Sequence, residues 1–444
     1  MADCILVKGG SGGVMSDDVT AGKAHVLKGY RTITIDSDDE IVEGTIVSQA
    51  KIAATIKPGG SYTIPVGYYS QAGTVSCPVT VNSVVSFSVA AASYNTVTAT
   101  WKWPSAGPYS GVIIRYKTGG YPTSVTDGTQ GYKGTGTTYA LNSTSTAQIT
   151  GLSQDTLYYF RIWVYLTDSE GTYYYSGAKD ANTYTIARGI KTFASSQTWT
   201  VPARVTKIDI FCVGGGGSGG ANSNGTNWNK GAGGGGGFTA TRKSLTVTPG
   251  AVYAVTVGAG GTVHTEQSDD ITYYVSGRGG TSSFGTILSA RGGQGGGAQS
   301  DNDGGYLAYG GDGGSGGGAG SFNIWPSYYY YIGGNGGSDG ANGGEAKTTS
   351  DVESTNRKGT GQGTTTRAFG ESGGTLYAGG GGGSSYGSNY TAGSGGSGGG
   401  GNGGNGSATN NGATGGTTNT GGGGGGSRYG TTGGSGVVIV RWGY

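Results

Sequence analysis

Charge is scarce in this chain. It has 27 Lys and Arg against 25 Asp and Glu, only 12% of its 444 residues, and a formal net charge of +2. A typical protein carries about 25%. With no basic stripe, the sequence lacks the electrostatic footprint of a nucleic-acid binder. Its three cysteines, Cys4, Cys77 and Cys212, are scattered. An odd count without C-x-x-C gives neither a disulfide framework nor a zinc site. There are two histidines, His25 and His264, and no acid or nucleophile is patterned with either. No run approaches the ~18 apolar residues of a spanning helix. The start, MADCILVKGGSGG, has no basic region followed by an apolar one, so no secretory signal is read there. The expectation is synthesis in a cytoplasm, without membrane insertion. The 9 prolines and irregular glycine spacing exclude collagen.

What the chain has is glycine, 102 residues of it, far above the usual share of about 7%. Residues 1–200 hold 23 and residues 201–444 hold 79. The first part therefore reads as ordinary small domains, and the second excludes a helical or doubly wound fold. We divide the chain into an N-terminal module (1–50), a connector (51–81), a β-sandwich (82–188) and a glycine-rich domain (189–444). The expected class is all-β and multidomain.

In the first module, Ser16, Asp17 and Asp18 are capping signals for a turn or two of helix reaching Val26 or Leu27. Two strand-like runs follow, 30–35 and 41–47, around the polar turn 36–40. The connector is rich in Pro-Gly and Val-Gly turn steps. From residue 82 the apolar residues alternate: Val85, Phe87, Val89; Val97, Ala99, Trp101; Val112, Ile114, Tyr116; Ala147, Ile149 with Leu152; then Tyr158, Phe160, Ile162, Val164. About seven short strands in about 100 residues is the pattern of a sandwich.

The glycine tracts are framed by strands. These are read at WTVPARVTKIDIFCV, with Ile208, Ile210 and Cys212 on one face, and at 238–247 and 252–257, which flank Thr248-Pro249-Gly250 as a hairpin-like pair. Two more are read at 282–290 and 436–442. Within the tracts a period of three recurs: Asp312 and Ser315, Asn335 and Ser338, Ser394 and Ser397, Asn402 and Asn405. Three residues per turn is the period of the extended polyproline II helix. Side by side, such glycine helices exchange backbone hydrogen bonds and Cα–H···O contacts. We therefore expect packed polyglycine II-like helices with glycine inward and the rare Asn, Ser and Asp facing solvent.

No catalytic, metal or cofactor site is read from the sequence. G-x-G-x-x-G matches arise by chance in such a tract, and none opens a helix after a strand. Asp36, Asp38 and Glu40 imitate part of a calcium loop, but Ile41 and Val47 stand where its Gly and Glu belong. Glu266, Asp269 and Asp270 read as a polar loop tip rather than a glycosidase pair. The informative residues are aromatic: Tyr306 and Tyr309, Trp325, Tyr328, Tyr329, Tyr330 and Tyr331, Tyr386 and Tyr390, all between glycine tracts. Two roles fit them. They seal the bundle, or they stack on sugar rings and make rigid protein contacts. The sequence does not separate the two.

Several stretches carry family resemblances. Residues 82–188 resemble a fibronectin type III domain. TVTATWKWP looks like its strand B with core Trp101, and SGVIIRYKT like strand C with Tyr116. GLSQDTLYYFRIWV is similar to the stretch bearing the family's tyrosine corner, which the resemblance puts at Tyr158. Gln154 stands where the family often has proline. The whole chain resembles a tail fibre or receptor-binding protein of phages of Gram-positive hosts. DDVTAGKAHVLKGYRTITIDSDDEIVEGTI is similar to a module of such proteins, with Asp39 replacing its hairpin Gly. IPVGYYSQAG looks like a phage-tail stretch. TWTVPARVTKIDIFCVGGGGSGG and GGSGVVIVRW resemble a glycine-rich fibre tip. There Arg204 replaces a Gly, so no positive φ is expected at that position.

The resemblance implies a non-enzymatic virion tail protein. Its N-terminus would dock on other tail or baseplate proteins and its tip on a host glycan or protein. The implied assembly is a homo-oligomer, a trimer favoured, with no nucleic acid. The rival readings are a bacterial surface adhesin or structural protein, and a polysaccharide depolymerase.

Overall fold

The computed structural model describes residues 19–26, 28–46, 56, 61–63, 74–76, 79–135, 141–221, 231–268, 271–297, 308–324, 328–347, 358–386, 389–405 and 412–444. It is all-β, 32% strand and 2% helical. The N-terminal helix signal yields one 3-10 turn, Lys23–His25, without a side-chain cap. Its proposed capping residues, 16–18, lie outside the described residues. The two strands beyond it are shorter than expected, β1 (Arg31–Thr32) and β2 (Val42–Glu43), paired antiparallel. Between them Asp38 and Asp39 take φ of 52° and 64°. Asp39 thus adopts a left-handed conformation, which aspartate tolerates better than most residues. In the connector, β3 (Ser61–Thr63) pairs with β4 (Thr74–Ser76).

Two compact units follow from the contacts. One holds 1–90, 97–150 and 157–183, the other 91–96, 151–156 and 184–444. The first is built on two sheets. The smaller is β5 (Ser86–Ala91), β6 (Val97–Lys102) and β9 (Thr144–Ile149), ordered β5-β6-β9. The larger is ordered β11-β10-β7-β8, with β12 also on β10. Its strands are β7 (Gly111–Lys117), β8 (Thr129–Thr135), β10 (Leu157–Thr167), β11 (Tyr173–Tyr175) and β12 (Lys179–Tyr184). The predicted alternation buries most of the core, except at Val85, which is 42% exposed while Val84 is buried in its place. Val97, Ala99, Trp101, Ile114, Phe160, Ile162 and Val164 are all essentially inaccessible. Trp101 of the small sheet meets Tyr132 of the large one at 5.4 Å, and Tyr116 packs edge-on against Tyr158 at 5.6 Å.

The second unit starts from a frame of two four-stranded sheets. The first is ordered β13-β24-β15-β16: β13 (Gly189–Phe193), β15 (Lys207–Val213), β16 (Thr239–Thr246) and β24 (Val437–Trp442). Strands from the two ends of the glycine-rich region thus lie side by side. The second is ordered β14-β17-β20-β21: β14 (Gln197–Thr200), β17 (Val252–Thr256), β20 (Ser282–Phe284) and β21 (Leu288–Ala290). Two hairpins complete it, β18 (Val263–Ser268) with β19 (Ile271–Ser276) and β22 (Phe322–Ile324) with β23 (Tyr328–Tyr330).

Alternation along β15 splits its side chains between two cores. Ile208, Ile210 and Cys212 join Trp199, Val255 and Phe284 on one face. Phe211 and Val213 meet Phe369 and Ala378 on the other.

Three expectations need correction. Residues 238–247 and 252–257 are not a hairpin pair, because β16 pairs with β15 and β17 with β14 and β20. The Thr248–Ala251 turn, with Gly250 at φ 81°, carries the chain from one sheet to the other. Residues 282–290 are two strands hinged at Gly285, φ 51°, rather than one. And Arg204 does take a positive φ, 65°. Its guanidinium compensates by pairing with Asp155 and lying 4.2 Å from the Tyr184 ring centre.

Glycine tracts fill the rest of this unit, and their hydrogen bonds leave the local chain. Along 231–237 the direction of donation rotates with period three. Ala232 and Gly235 donate to Gly297 and Gln294, Gly233 and Gly236 to Gly318 and Ser315, and Gly234 and Gly237 to Gly424 and Gly421. One tract is thus bonded to three neighbours, at 2.7–3.0 Å. At Gly234 the spacing admits no side chain: a Cβ there would sit 2.3 Å from the carbonyl oxygen of Gly217.

Of the polar residues at period three, Asn335, Ser394, Ser397 and Asn402 are exposed as expected, but the set does more than face solvent. Ser315 is fully buried and its hydroxyl accepts the Gly340 N–H. Asp312 accepts from Thr360, Asn335 from Ser394, Ser338 from Ser397, Asn402 from Gly395 and Asn405 from Ala392, at 2.7–2.9 Å. A side chain leaving an edge tract every third residue meets the N–H groups that no further tract covers. It satisfies them where orphaned donors would be costly.

Candidate binding surface

The lattice has two unlike ends. At one, the tracts run into the frame: Gly214 donates to Phe238, Phe238 to Arg291, Gly237 to Gly421 and Gly436 to Gly258. At the other, the far ends of several tracts come together. Gly220 donates to Ala232, Ser384 to Gly231, Ser321 to Ser384, Gly320 to Ala308 and Gly297 to Tyr309. Tyr386 donates to Tyr331, Ser385 to Gly404, and Ile332 bridges Lys347. The described flanks at 220–221, 231–232, 297, 308–309, 320–321, 331–332, 347, 384–386 and 404 thus lie together at this end.

Three of the predicted aromatic residues meet there. Tyr331 and Tyr390 stack at 4.5 Å with planes 10° apart, and Tyr386 lies 5.4 Å from Tyr331. All three are half-buried. Tyr309 is at the same end and 47% exposed. Tyr328, Tyr329 and Tyr330 form β23. Tyr306 and Trp325 lie outside the described residues. Beneath the cluster, the Ser385 hydroxyl donates to the Tyr390 carbonyl at 2.9 Å and lies 3.3 Å from Asn405 Oδ1, which takes the Ala392 N–H. Sequence reading missed Ser385 and Asn405 as supports. The only signal was Asn405's place in the period of three, which does not say which tract lies alongside. Stacked rings on a rigid base supply apolar faces and phenolic hydroxyls, the chemistry that packs on pyranose rings or protein aromatics.

Other candidate residues are spread apart. His25 sits in the exposed 3-10 turn and His264 on β18. Asp36 accepts the Thr34 hydroxyl and the Lys23 N–H, and these bonds hold its carboxyl below the usual range. Glu266 pairs in register with Tyr273, and Asp269 and Asp270 lie outside the described residues. Among the described residues no three His, Cys, Asp or Glu converge on a point, and no helix is long and apolar enough to cross a membrane. Cys212 is buried in the frame, which pushes its thiol up to about 12. Cys4 and Cys77 lie outside the described residues.

One ion cluster is well built. Arg441 on β24 pairs with Asp209 at 3.0 Å and with both oxygens of Glu371, and covers the Phe369 ring at 4.0 Å. Bonding first to Arg441 and then to Lys243 lowers the Glu371 carboxyl from 4.5 to about 2. A depressed folded value contributes stability that is complete above about 4.5 and lost as pH falls towards 2. Glu371 is exposed enough that the gain should be only about 0.2–1 kcal/mol. Acid titration of melting temperature should therefore fall less steeply over this window in Glu371→Gln than in the parent; identical slopes would remove Glu371 from the account.

Fold and surface together define an all-β protein whose glycine lattice is pinned to a strand frame and carries Tyr331, Tyr386 and Tyr390 together at the end away from that frame. Residues 191–443 match the glycine-rich domain family, and the chain belongs to it. No curated protein matches the chain.

Proposed function

We propose that this chain is a phage tail fibre or receptor-binding protein that adheres to the host surface through the free end of its glycine lattice. In this reading the N-terminal module docks on tail or baseplate proteins and the first unit's sandwich is a fibronectin type III spacer. The glycine tracts are polyglycine II-like helices, the protein is a virion tail component assembled in the host cytoplasm, and it acts as a homo-oligomer, a trimer favoured. The division into four segments belongs to the same proposal.

The observation that carries it is the meeting of tract flanks at the lattice end opposite the frame, with the Tyr331–Tyr386–Tyr390 cluster there. A rigid base lowers the ordering cost of binding, and tyrosine gives contact area with few rotors. The sandwich reading is supported by a three-stranded sheet facing a larger one in the order β11-β10-β7-β8. The polyglycine II reading is supported by hydrogen-bond directions that rotate with period three.

The test is cell binding by the fluorescently labelled full chain, against Gram-positive strains that bind the parent. Tyr331→Ala combined with Tyr390→Ala should weaken binding by about tenfold or more, since truncated hot spots cost about 2 kcal/mol or more. The melting temperature should stay near the parent's. Unchanged binding by the double variant, or equal binding by residues 1–188 alone, would overturn the proposal. Shortened polysaccharide after incubation with purified cell wall would instead identify a depolymerase.

A further inference from the structure

Of the chain's six Asn-Gly steps, three lie in the lattice with both residues described, Asn335-Gly336, Asn342-Gly343 and Asn402-Gly403. Each is held in the same way. The glycine N–H donates to a neighbouring tract: Gly336 to Ser394 O at 2.8 Å, Gly343 to Gly359 O at 2.9 Å, Gly403 to Gly393 O at 2.9 Å. The asparagine Oδ1 accepts from that same neighbour: Asn335 from Ser394, Asn342 from Gly361, Asn402 from Gly395, at 2.8–2.9 Å. Both groups that would react with each other are thus engaged elsewhere.

Asn-Gly is the dipeptide whose backbone most readily attacks its own side chain, because glycine places no Cβ in the way. The glycine nitrogen gives its proton to solvent hydroxide and bonds to the asparagine Cγ. The Cγ–Nδ2 bond breaks and ammonia leaves with a proton from water. Water then opens the resulting succinimide at either carbonyl, giving Asp or isoAsp. In the lattice, the nitrogen cannot lose its proton while it donates to Ser394, Gly359 or Gly393. Nor can Cγ swing towards it while Oδ1 is held by the next tract.

We propose that these three steps are latent sites of spontaneous deamidation, silent while the lattice is closed and modified only when it opens. The asparagines are then both edge caps and sites of irreversible damage. IsoAsp adds a backbone methylene, which shifts every later N–H out of the three-residue register. It also replaces a neutral acceptor by a carboxylate. A tract modified while open therefore does not regain its pairing, and loss of the lattice becomes permanent. The inference does not depend on what the free end binds.

The experiment is incubation of the full chain at pH 8.5 and 37 °C, folded and in concentrated guanidinium, with peptide mass spectrometry of the three sites over time. Conversion in the folded chain should be at least about tenfold slower at all three sites, since local opening must come first. Their rates should also rise together when the lattice is loosened by Gly381→Ala, a substitution on another tract. Folded-chain rates within about twofold of the denatured ones would overturn the proposal, because they would mean that reaction proceeds without opening. So would slow native rates that Gly381→Ala leaves untouched, since protection would then be local to each loop.

Discussion

Gly381→Ala is expected to unfold the glycine lattice or bring it close to unfolding, whereas Gly373→Ala should leave it intact. Gly381 is buried; its N–H donates to Gly234 and its carbonyl accepts from Gly318, both at 2.8 Å. An added Cβ would lie 2.0 Å from the carbonyl oxygen of Gly424 and 2.6 Å from its carbon. Both are backbone atoms, so no rotamer relieves the clash and two tracts must separate. Overpacking costs about 1–3 kcal/mol, and each buried donor left unpaired about 1–3 kcal/mol more. That sum is a large part of an ordinary domain's ~5–15 kcal/mol. Gly373 is exposed, with nothing within 4 Å of its added Cβ and no positive φ. Alanine there should be neutral or slightly stabilising, by up to about 1 kcal/mol through the unfolded chain. The Cys212 thiol, buried against Phe284 and Val438, reports the outcome. Thiol labelling of its peptide should be fast in Gly381→Ala and slow in Gly373→Ala. Equal protection in both variants would refute the close-packed account.

Trp101→Ala should destabilise the first unit by about 3–5 kcal/mol, the usual cost of truncating a buried large aromatic. Trp101 is 1% exposed and lies 5.4 Å from the Tyr132 ring and 5.9 Å from Trp103. Its indole Nε1 is buried without a hydrogen-bond partner. Trp101→Phe keeps an aromatic ring and removes that unpaired donor, so its loss should be clearly smaller. In urea, Trp101→Ala should melt early by the far-ultraviolet strand signal while the Cys212 peptide stays protected. If Cys212 becomes reactive in step with the early transition, the two units do not unfold separately. If Phe and Ala cost the same, the ring is not what fills the core.

The strands were legible wherever a side chain alternated between core and surface. Tyr158, Phe160, Ile162 and Val164 declare one face of β10, and Ile208, Ile210 and Cys212 one face of β15, because a strand's period of two is local and needs no partner to be seen. Pairing was less legible. Thr248-Pro249-Gly250 carries the chemistry of a hairpin turn, yet it joins two sheets. Turn residues fix a local reversal and not which strand accepts the next ladder. At Arg204 the substitution of glycine argued against a positive φ, and a guanidinium bound to Asp155 and stacked on Tyr184 overrode that local cost.

The aromatic surface divides in the same way. Sequence alone marks Tyr331, Tyr386 and Tyr390 as rings stranded among glycines, because no lattice of such close spacing can hold them inside. It also determines that the domain is a glycine lattice framed by strands. Few residues but glycine permit that backbone approach, and Val437–Trp442 and the strands near residue 200 offer apolar faces to anchor it. Which tract lies beside which was decided by tertiary structure alone. One glycine run is chemically the same as another, so the register resides in the few residues that break the monotony, Asp312, Ser315, Asn335, Asn402 and Asn405. Their role appears only when the neighbouring N–H groups are in place to meet them.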